Sequence, residues 1–280
     1  MGGMPVVAET IEALRSAVGS YRRAGETMAL VPTMGALHVG HVALVERAKA
    51  LADRVVVSIF VNPTQFAPHE DFSRYPRTFD ADCALLAESG VDVVYAPSPA
   101  VMYPQGFATQ IVMDGPARGL ETDFRPHFFS GVAIVVSKLL LQCLPDYALF
   151  GEKDYQQLKV VTRMARDLDL QVEIVPVETL READGLALSS RNRYLTAEER
   201  ATAPVIHQAL QAAAADLRAG GDPVAALERA RATIRQAGLT LDYVEARHAE
   251  SLEPARPGDP VRLLVAAWLG KTRLIDNIGV

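Results

Sequence analysis

Residues 28–63 read MALVPTMGALHVGHVALVERAKALADRVVVSIFVNP, and this stretch decides the fold class. A short apolar run over 28–31 ends at Pro32. Helical periodicity follows over 39–52, carried by Val42, Leu44, Val45, Ala48 and Leu51. The run 55–61 is then continuously apolar and β-branched, and Asn62-Pro63 stops it. A strand, an amphipathic helix and a strand apolar on both faces make a βαβ unit, whose strands are parallel and covered on both sides.

Working outward, the same alternation continues. Residues 79–89 predict a helix with Gly90 as its C-terminal cap, and 91–95 predict a strand. A Pro-rich loop leads to a helix over 130–144, a strand over 147–150, a helix over 155–168 and a strand over 172–177. The expectation is an α/β chain with a Rossmann-like parallel sheet domain over residues 1–180. Past residue 180 the texture changes: a polar loop over 181–194 contains Gly185, and Ala-rich helical stretches over 196–219 and 223–237 flank Gly220-Gly221. Candidate strands follow at 242–247, 261–269 and 273–275, which predicts a smaller α+β lid domain over residues 181–280.

Composition narrows the function. The 280 residues carry a formal charge of −6, whereas nucleic-acid binders take most of their affinity from a basic excess, so no nucleic-acid partner is expected. Cys83 and Cys143 are the only cysteines, both among apolar residues, and read as buried free thiols. The first nine residues lack the apolar core of a signal peptide. The longest apolar stretch, 132–144, is broken by Ser137, Lys138 and Gln142 and is too short for a bilayer. A cytoplasmic protein without a membrane partner is expected.

The chemistry concentrates in three clusters. His38-Val39-Gly40-His41 lies between strand and helix, with two imidazoles at i and i+3 on one helical face. Gly40 admits close approach to the backbone, and the first-turn N–H groups with the helix dipole favour an anion. Gly35 and Ala36 keep the preceding turn small. Neither a GxxxxGK[ST] loop nor a GxGxxG turn is present, so the pattern points to ATP held by another device. Gly151-Glu152-Lys153-Asp154 follows the strand over 147–150, at the kind of strand end where α/β sheets bind ligands. Leu188-Ser189-Ser190-Arg191-Asn192 offers hydroxyls and a guanidinium in a glycine-flanked loop, suited to developing charge on phosphorus. Gln65 and Gln157 are neutral amides that can orient a small polar substrate. His69, His207 and His248 are isolated, and no metal-ligand spacing occurs; Asp80 and Asp82 read either as Mg²⁺ neighbours or as acids of a helix first turn.

Taken together, Pro32-Thr33-Met34-Gly35-Ala36-Leu37-His38-Val39-Gly40-His41, Phe60-Val61-Asn62-Pro63-Thr64-Gln65-Phe66, Tyr75-Pro76-Arg77-Thr78, Gly151-Glu152-Lys153-Asp154-Tyr155-Gln156-Gln157-Leu158 and Asp184-Gly185-Leu186-Ala187-Leu188-Ser189-Ser190-Arg191-Asn192 resemble the pantothenate synthetase (pantoate–β-alanine ligase) family, in its order and spacing. The first and last segments also resemble the HIGH and KMSKS signatures of the wider nucleotidyltransferase group. The resemblance implies a homodimer that uses ATP with Mg²⁺ to adenylate pantoate and then transfers the pantoyl group to β-alanine. It gives catalytic roles to His38, His41, Lys153, Ser189, Ser190 and Arg191. ATP contacts fall to 32–41, to Gly151, Glu152, Lys153 and Asp154, to Leu180, and to 188–191. Pantoate and β-alanine contacts fall to Asn62, Gln65, Tyr75, Arg125 and Gln157.

One position departs from that family, which usually reads Arg-Pro-Gly-His-Phe where this chain has Arg125-Pro126-His127-Phe128-Phe129. Arg125 matches, but His127 takes the place of the glycine and Phe128 that of the histidine. Three alternatives stand beside the ligase: a nucleotidyltransferase that keeps its adenylylated product, a truncated aminoacyl-tRNA synthetase, and a non-catalytic nucleotide-binding regulator. Gln65 and Gln157 speak against the first, length and acidity against the second, and the intact polar set against the third.

Overall fold

The computed structural model describes residues 3–66 and 71–280; His69 lies outside the described residues. In chain order the first elements are β1 (Val6–Ala8), α1 (Ile11–Arg23), β2 (Met28–Thr33), α2 (Val39–Lys49), β3 (Arg54–Ile59), α3 (Phe79–Glu88) and β4 (Val93–Tyr95). Then come α4 (Pro99–Met102), α5 (Glu121–Phe124), α6 (Phe128–Cys143), β5 (Tyr147–Gly151), α7 (Tyr155–Asp167) and β6 (Glu173–Val177). The last are α8 (Ala197–Thr202), α9 (Val205–Arg218), α10 (Pro223–Gln236), β7 (Thr240–His248), β8 (Val261–Leu269) and β9 (Thr272–Gly279).

The chain divides into two compact units. The first comprises Met1–Met113, Arg125–Glu152 and Val160–Val177; the second comprises Asp114–Phe124, Lys153–Lys159 and Glu178–Val280. The late change of unit falls at 177/178, and the second unit also takes two stretches from the middle of the chain.

In the first unit six strands form one sheet in the order β1-β4-β3-β2-β5-β6, with every pairing parallel. Chain order runs outward from β2 through β3 to β4 on one side and from β5 to β6 on the other. The topological switch point therefore lies between β2 and β5, where open α/β sheets bind their ligands. Ala29, Val31, Val55, Val57, Val94 and Leu149 are buried in one core with Leu44, Val45 and Ala48 of α2 and Leu86 of α3.

The strand expected to end before Pro32 continues to Thr33. Thr33 turns its carbonyl to β3, accepting from Phe60 N at 3.0 Å, whereas Met28 turns its own to the β5 side, accepting from Asp146 N at 2.9 Å. By alternation Pro32 faces β5, beyond the final β2–β5 pair, Leu30 with Ala148. Its missing N–H costs no ladder bond there. β1 and α1 were not foreseen; α1 is capped by Thr10, whose Oγ1 accepts from Ala13 N at 3.1 Å, and it buries only Leu14 and Val18 fully.

The second unit is built on an antiparallel sheet in the order β7-β8-β9. Helices α9 and α10 bury Ile206, Leu210, Ala214, Ala230 and Ile234 against Val244, Leu263, Val265 and Leu274. The single helix expected over 196–219 is two, because Pro204 cannot donate an N–H within a continuous helix; α8 ends at Thr202 and α9 starts at Val205. The last strand is longer than expected, running from Thr272 to Gly279.

Candidate active site

The turn between β2 and α2 is a closed hydrogen-bonding problem, and the sequence solves it with one distant carboxylate. Gly35 adopts φ +81° and Ala36 φ 52°, so the backbone curls left-handed through 35–36 and aims consecutive N–H groups inward. Gly35 N donates to Thr33 Oγ1 at 3.2 Å. Ala36 N and Leu37 N donate to the two oxygens of Asp82, each at 2.9 Å, and Thr78 Oγ1 adds a third bond at 3.1 Å. Asp82, on α3, is buried, and a Cβ on Gly35 would stand 3.1 Å from its Oδ2. Sequence alone left Asp82 between a metal neighbour and a helix-end acid. The structure makes it the clamp of this turn. Asparagine here would keep one acceptor and turn an N–H₂ against the other backbone donor. Asp82→Asn is therefore expected to destabilise the protein by about 1.5–3 kcal/mol, the scale of a hydrogen bond to a charged group. An unchanged urea midpoint would contradict the clamp.

The clamped turn delivers His38 to the N-cap of α2, in extended backbone at φ −147° and ψ 175°. His38 Nδ1 accepts from Gly40 N at 3.1 Å, and His38 N donates to His41 Nδ1 at 3.3 Å. The two imidazoles thus make a reciprocal capping box, with ring centroids 4.2 Å apart. The first-turn N–H groups expected to take an anion are partly spoken for: Gly40 N by His38 Nδ1, and His41 N by His38 O at 2.8 Å. With each Nδ1 accepting, the proton of each neutral ring is assigned to Nε2, so the imidazoles themselves are the donors aimed away from the helix end.

A second polar cluster follows β3. Asn62 caps the short 3₁₀ turn Pro63–Gln65, and its buried side chain accepts from Tyr103 Oη at 2.7 Å and donates to Gln65 Oε1 at 3.1 Å and to Gly131 O at 3.0 Å. Gln65 Nε2 in turn approaches Met34 Sδ at 3.2 Å, which ties this turn to the β2–α2 loop. Phe66 and Tyr75 bury together with Ala36, with Met34, Val61 and Phe72 packed against them. Arg125 Nη2 donates to Gln65 O at 3.1 Å, and its guanidinium lies 3.9 Å from the centroid of the Phe128 ring. Phe128, the departure noted in the sequence, is buried, while His127 is exposed and makes no cap bond. At the C-terminal end of β5, the strand beside β2, an added Cβ on Gly151 would meet nothing within 4 Å. The first unit thus brings together Pro32 to His41, Asn62, Gln65, Tyr75 and Arg125, with Gly151 and Glu152 at the neighbouring strand end.

The second unit holds the remaining expected residues. Lys153 sits in the 3₁₀ turn Glu152–Asp154 that leads into α7, with its Nζ 3.9 Å from Asp154 Oδ2. Gln157 is in the first turn of α7 and partly buried. Its neighbour Gln156, buried, is structural: it donates to Pro116 O and accepts from Glu121 N, each at 3.0 Å. Ser189 caps the 3₁₀ turn Ser190–Tyr194 by accepting from Arg191 N at 3.2 Å, and Ser190 is buried. Leu188 N donates to Leu180 O at 3.0 Å, which closes the base of the loop between them. His207, read as isolated, bonds Asp276 Oδ2 at 3.2 Å. Burial pushes the Asp276 carboxyl up, but hydrogen bonds from His207 and Arg181 outweigh it and hold the carboxyl below its ordinary value. Cys83 and Cys143 are buried free thiols as expected, and burial pushes Cys143 up to about 12.

The comparisons with known proteins agree with one another. Residues 6–279 match the family model described as pantoate-beta-alanine ligase. The chain is 58% identical to a pantothenate synthetase of Rhodopseudomonas palustris over 283 residues, covering 100% of both chains. It is 61% identical to one of Nitrobacter hamburgensis over 279 residues, covering 99% of both. The crystal structure of pantothenate synthetase from Thermus thermophilus is similar with a TM-score of 0.91 at 47% identity, over 98% of both chains. A pantoate-beta-alanine ligase from Francisella tularensis, solved in complex with beta-gamma ATP and beta-alanine, is similar with a TM-score of 0.84 at 35% identity, over 98% of this chain and 97% of that one.

Proposed function

Because the chain belongs to the pantoate–β-alanine ligase family, we infer that it condenses pantoate with β-alanine at the expense of ATP. In the first step a pantoate carboxylate oxygen attacks the α-phosphorus of ATP, forming pantoyl adenylate and expelling pyrophosphate. In the second the β-alanine amine attacks the acyl carbon, loses a proton and expels AMP, leaving pantothenate. The observation that carries the site assignment is the His38–His41 capping box at the switch point of the parallel sheet. It supports a phosphate-binding role, because both rings present Nε2–H donors where nucleotide charge grows.

By motif position, residues 32–41, Gly151, Glu152, Asp154, Leu180 and Leu188 seat the nucleotide. Lys153, Ser189, Ser190 and Arg191 act on the transferring phosphorus. Asn62, Gln65, Tyr75, Arg125 and Gln157 hold pantoate and β-alanine. In-line transfer to phosphorus needs positioned reactants and charge stabilisation, and no protein nucleophile. Gln65 suits a hydroxy acid: its amide orientation is fixed by Asn62 and Met34, and it adds no charge beside a carboxylate. Among the described residues no group of three or more His, Cys, Asp or Glu gathers as a metal site, and the oxygens of Asp82 already accept from Ala36, Leu37 and Thr78. The family resemblance assigns Mg²⁺ to the substrate, carried on the phosphates of MgATP.

The test is exchange of labelled pyrophosphate into ATP, with pantoate present and β-alanine absent. Pantoate-dependent exchange is expected. Pantothenate and AMP formed without any exchange would rule out the adenylate route. No helix among the described residues is long and apolar enough to cross a membrane. A cytoplasmic homodimer completes the proposal, and sedimentation at micromolar concentration tests the dimer.

A further inference from the structure

Strand β9 alternates its side chains across the three-stranded sheet. Leu274 and Asp276 face the helices, where Leu274 joins the core of α9 and α10 and Asp276 meets His207 of α9. Arg273 and Asn277 face the opposite side, where the mid-chain stretches of this unit lie. There Arg273 Nη1 reaches both oxygens of Glu121 at 2.7 Å, and Asn277 Nδ2 donates to the backbone carbonyl of Lys153 at 2.9 Å.

Each of the two adjacent residues grips one of the segments assigned to phosphorus. Asp276 takes the fork of Arg181, with Nη1 to Oδ2 at 2.7 Å and Nη2 to Oδ1 at 2.8 Å. Arg181 also donates to Gly185 O at 3.0 Å, and it bridges with Ala187 across the base of the loop. The far end is tied in by Asn192 Nδ2, which donates to Ala187 O at 3.0 Å. Gly185, at φ +92°, is pressed against His207 so closely that a Cβ would stand 2.7 Å from the ring. On the other face Asn277 Oδ1 accepts from Arg262 Nε at 2.7 Å. Arg262 is only a donor there, so the amide orientation is settled and Nδ2 must face Lys153 O. The Arg262 guanidinium also lies 4.1 Å from the centroid of Tyr155, whose hydroxyl donates to Ala249 O at 2.9 Å and fixes the residues just after Lys153.

We propose that Asp276 and Asn277 are positioning residues for adenylation: the first sets the loop bearing Ser189, Ser190 and Arg191, the second sets the turn bearing Lys153. The inference rests on the roles proposed for Lys153 and Arg191. Consecutive Cα atoms are about 3.8 Å apart, so one rigid step of strand references both cationic segments to each other. Both residues are buried, at 4% and 3% exposure, so water does not replace the bonds if they are removed. A misplacement of about 1 Å in such a site costs on the order of a hundredfold in rate.

The experiment is a pair of double-mutant cycles read by pantoate-dependent pyrophosphate exchange. Asn277→Asp sets an oxygen against Lys153 O while keeping the acceptor for Arg262. It is expected to lower the exchange kcat roughly ten- to a hundredfold, with the KM for ATP nearly unchanged. In a Lys153→Ala background it should cost nothing further, because the group it positions is gone. Asp276→Asn should behave the same way toward Arg191→Ala, and should still lower the rate in Lys153→Ala. Asn277→Ala, which removes the donor without adding charge, serves the same cycle if the aspartate variant does not fold. Full exchange by Asn277→Asp beside a crippled Lys153→Ala overturns the inference alone, as does a loss that multiplies undiminished through Lys153→Ala. Wild-type exchange by Lys153→Ala itself overturns the role of Lys153 and the inference with it.

Discussion

Replacing Lys153 by alanine is expected to slow pantoate adenylation by roughly 10²–10³, the usual cost of removing one preorganised charge stabiliser. The loss should fall on kcat, because charge grows on the α-phosphate oxygens and the departing pyrophosphate only as the bond changes hands. Little of it should reach stability. The nearest acid, Asp154, is 3.9 Å away and half exposed, and ion pairs of that kind contribute about 0–1 kcal/mol. The backbone of the turn is held through the Lys153 carbonyl, which alanine retains. Arginine should not rescue the rate, since its planar fork cannot occupy the position of a compact ammonium. Exchange kinetics and a urea titration on the same preparations check both halves. A variant that loses stability but keeps its exchange rate contradicts the assignment.

The second large effect is expected at Gly131, in the first turns of α6. A Cβ there would lie 2.4 Å from Thr64 O, 2.7 Å from Thr64 C and 2.9 Å from Gln65 N, all of them backbone atoms. The helix is therefore pressed directly on the 3₁₀ turn that carries Asn62 and Gln65, and Asn62 Nδ2 bonds the Gly131 carbonyl across the contact. Alanine in a helix interior is intrinsically better than glycine by roughly 0.8–1 kcal/mol. Without the contact, Gly131→Ala would stabilise. With it, the turn has to move by about an ångström, and overpacking of that kind costs roughly 1–3 kcal/mol. The sign of the change in urea midpoint thus decides the matter. Because Asn62 and Gln65 ride on the displaced turn, the KM for pantoate should rise at least about tenfold, while the KM for ATP rises less.

The parallel sheet was legible because its strands carry their own signature: 55–57 and 93–95 are buried on both faces and apolar throughout. β1 escaped because three residues, two of them exposed, offer no period to read. Pro32 misled the strand boundary, since its harmlessness depends on which neighbour its backbone faces, and that is set by sheet order. In the candidate site, His38 and His41 could be singled out from their spacing together with their place between a strand and a helix. Asp82 could not, because its partners Ala36 and Leu37 lie more than forty positions earlier and use only backbone N–H groups, which no residue type betrays. His207 likewise looked isolated, since Asp276 is 69 positions away. The Ala-rich run after residue 196 predicted helix correctly but hid its break, because the small residues around Pro204 keep the helical pattern on both sides.

The interleaved make-up of the second unit also sets a timetable for biosynthesis. Its bonds from Glu121 to Arg273 span 152 positions, and those from Lys153 to Asn277 span 124. At ribosomal rates of roughly 5–20 residues per second, the stretches around Glu121 and Lys153 wait roughly 6 to 30 seconds for β9. Until then Glu121 lacks its guanidinium and the 153–159 segment lacks its amide anchor. Long-range pairing of this kind is slow to close, so these contacts of the second unit form only after β9 has been synthesised.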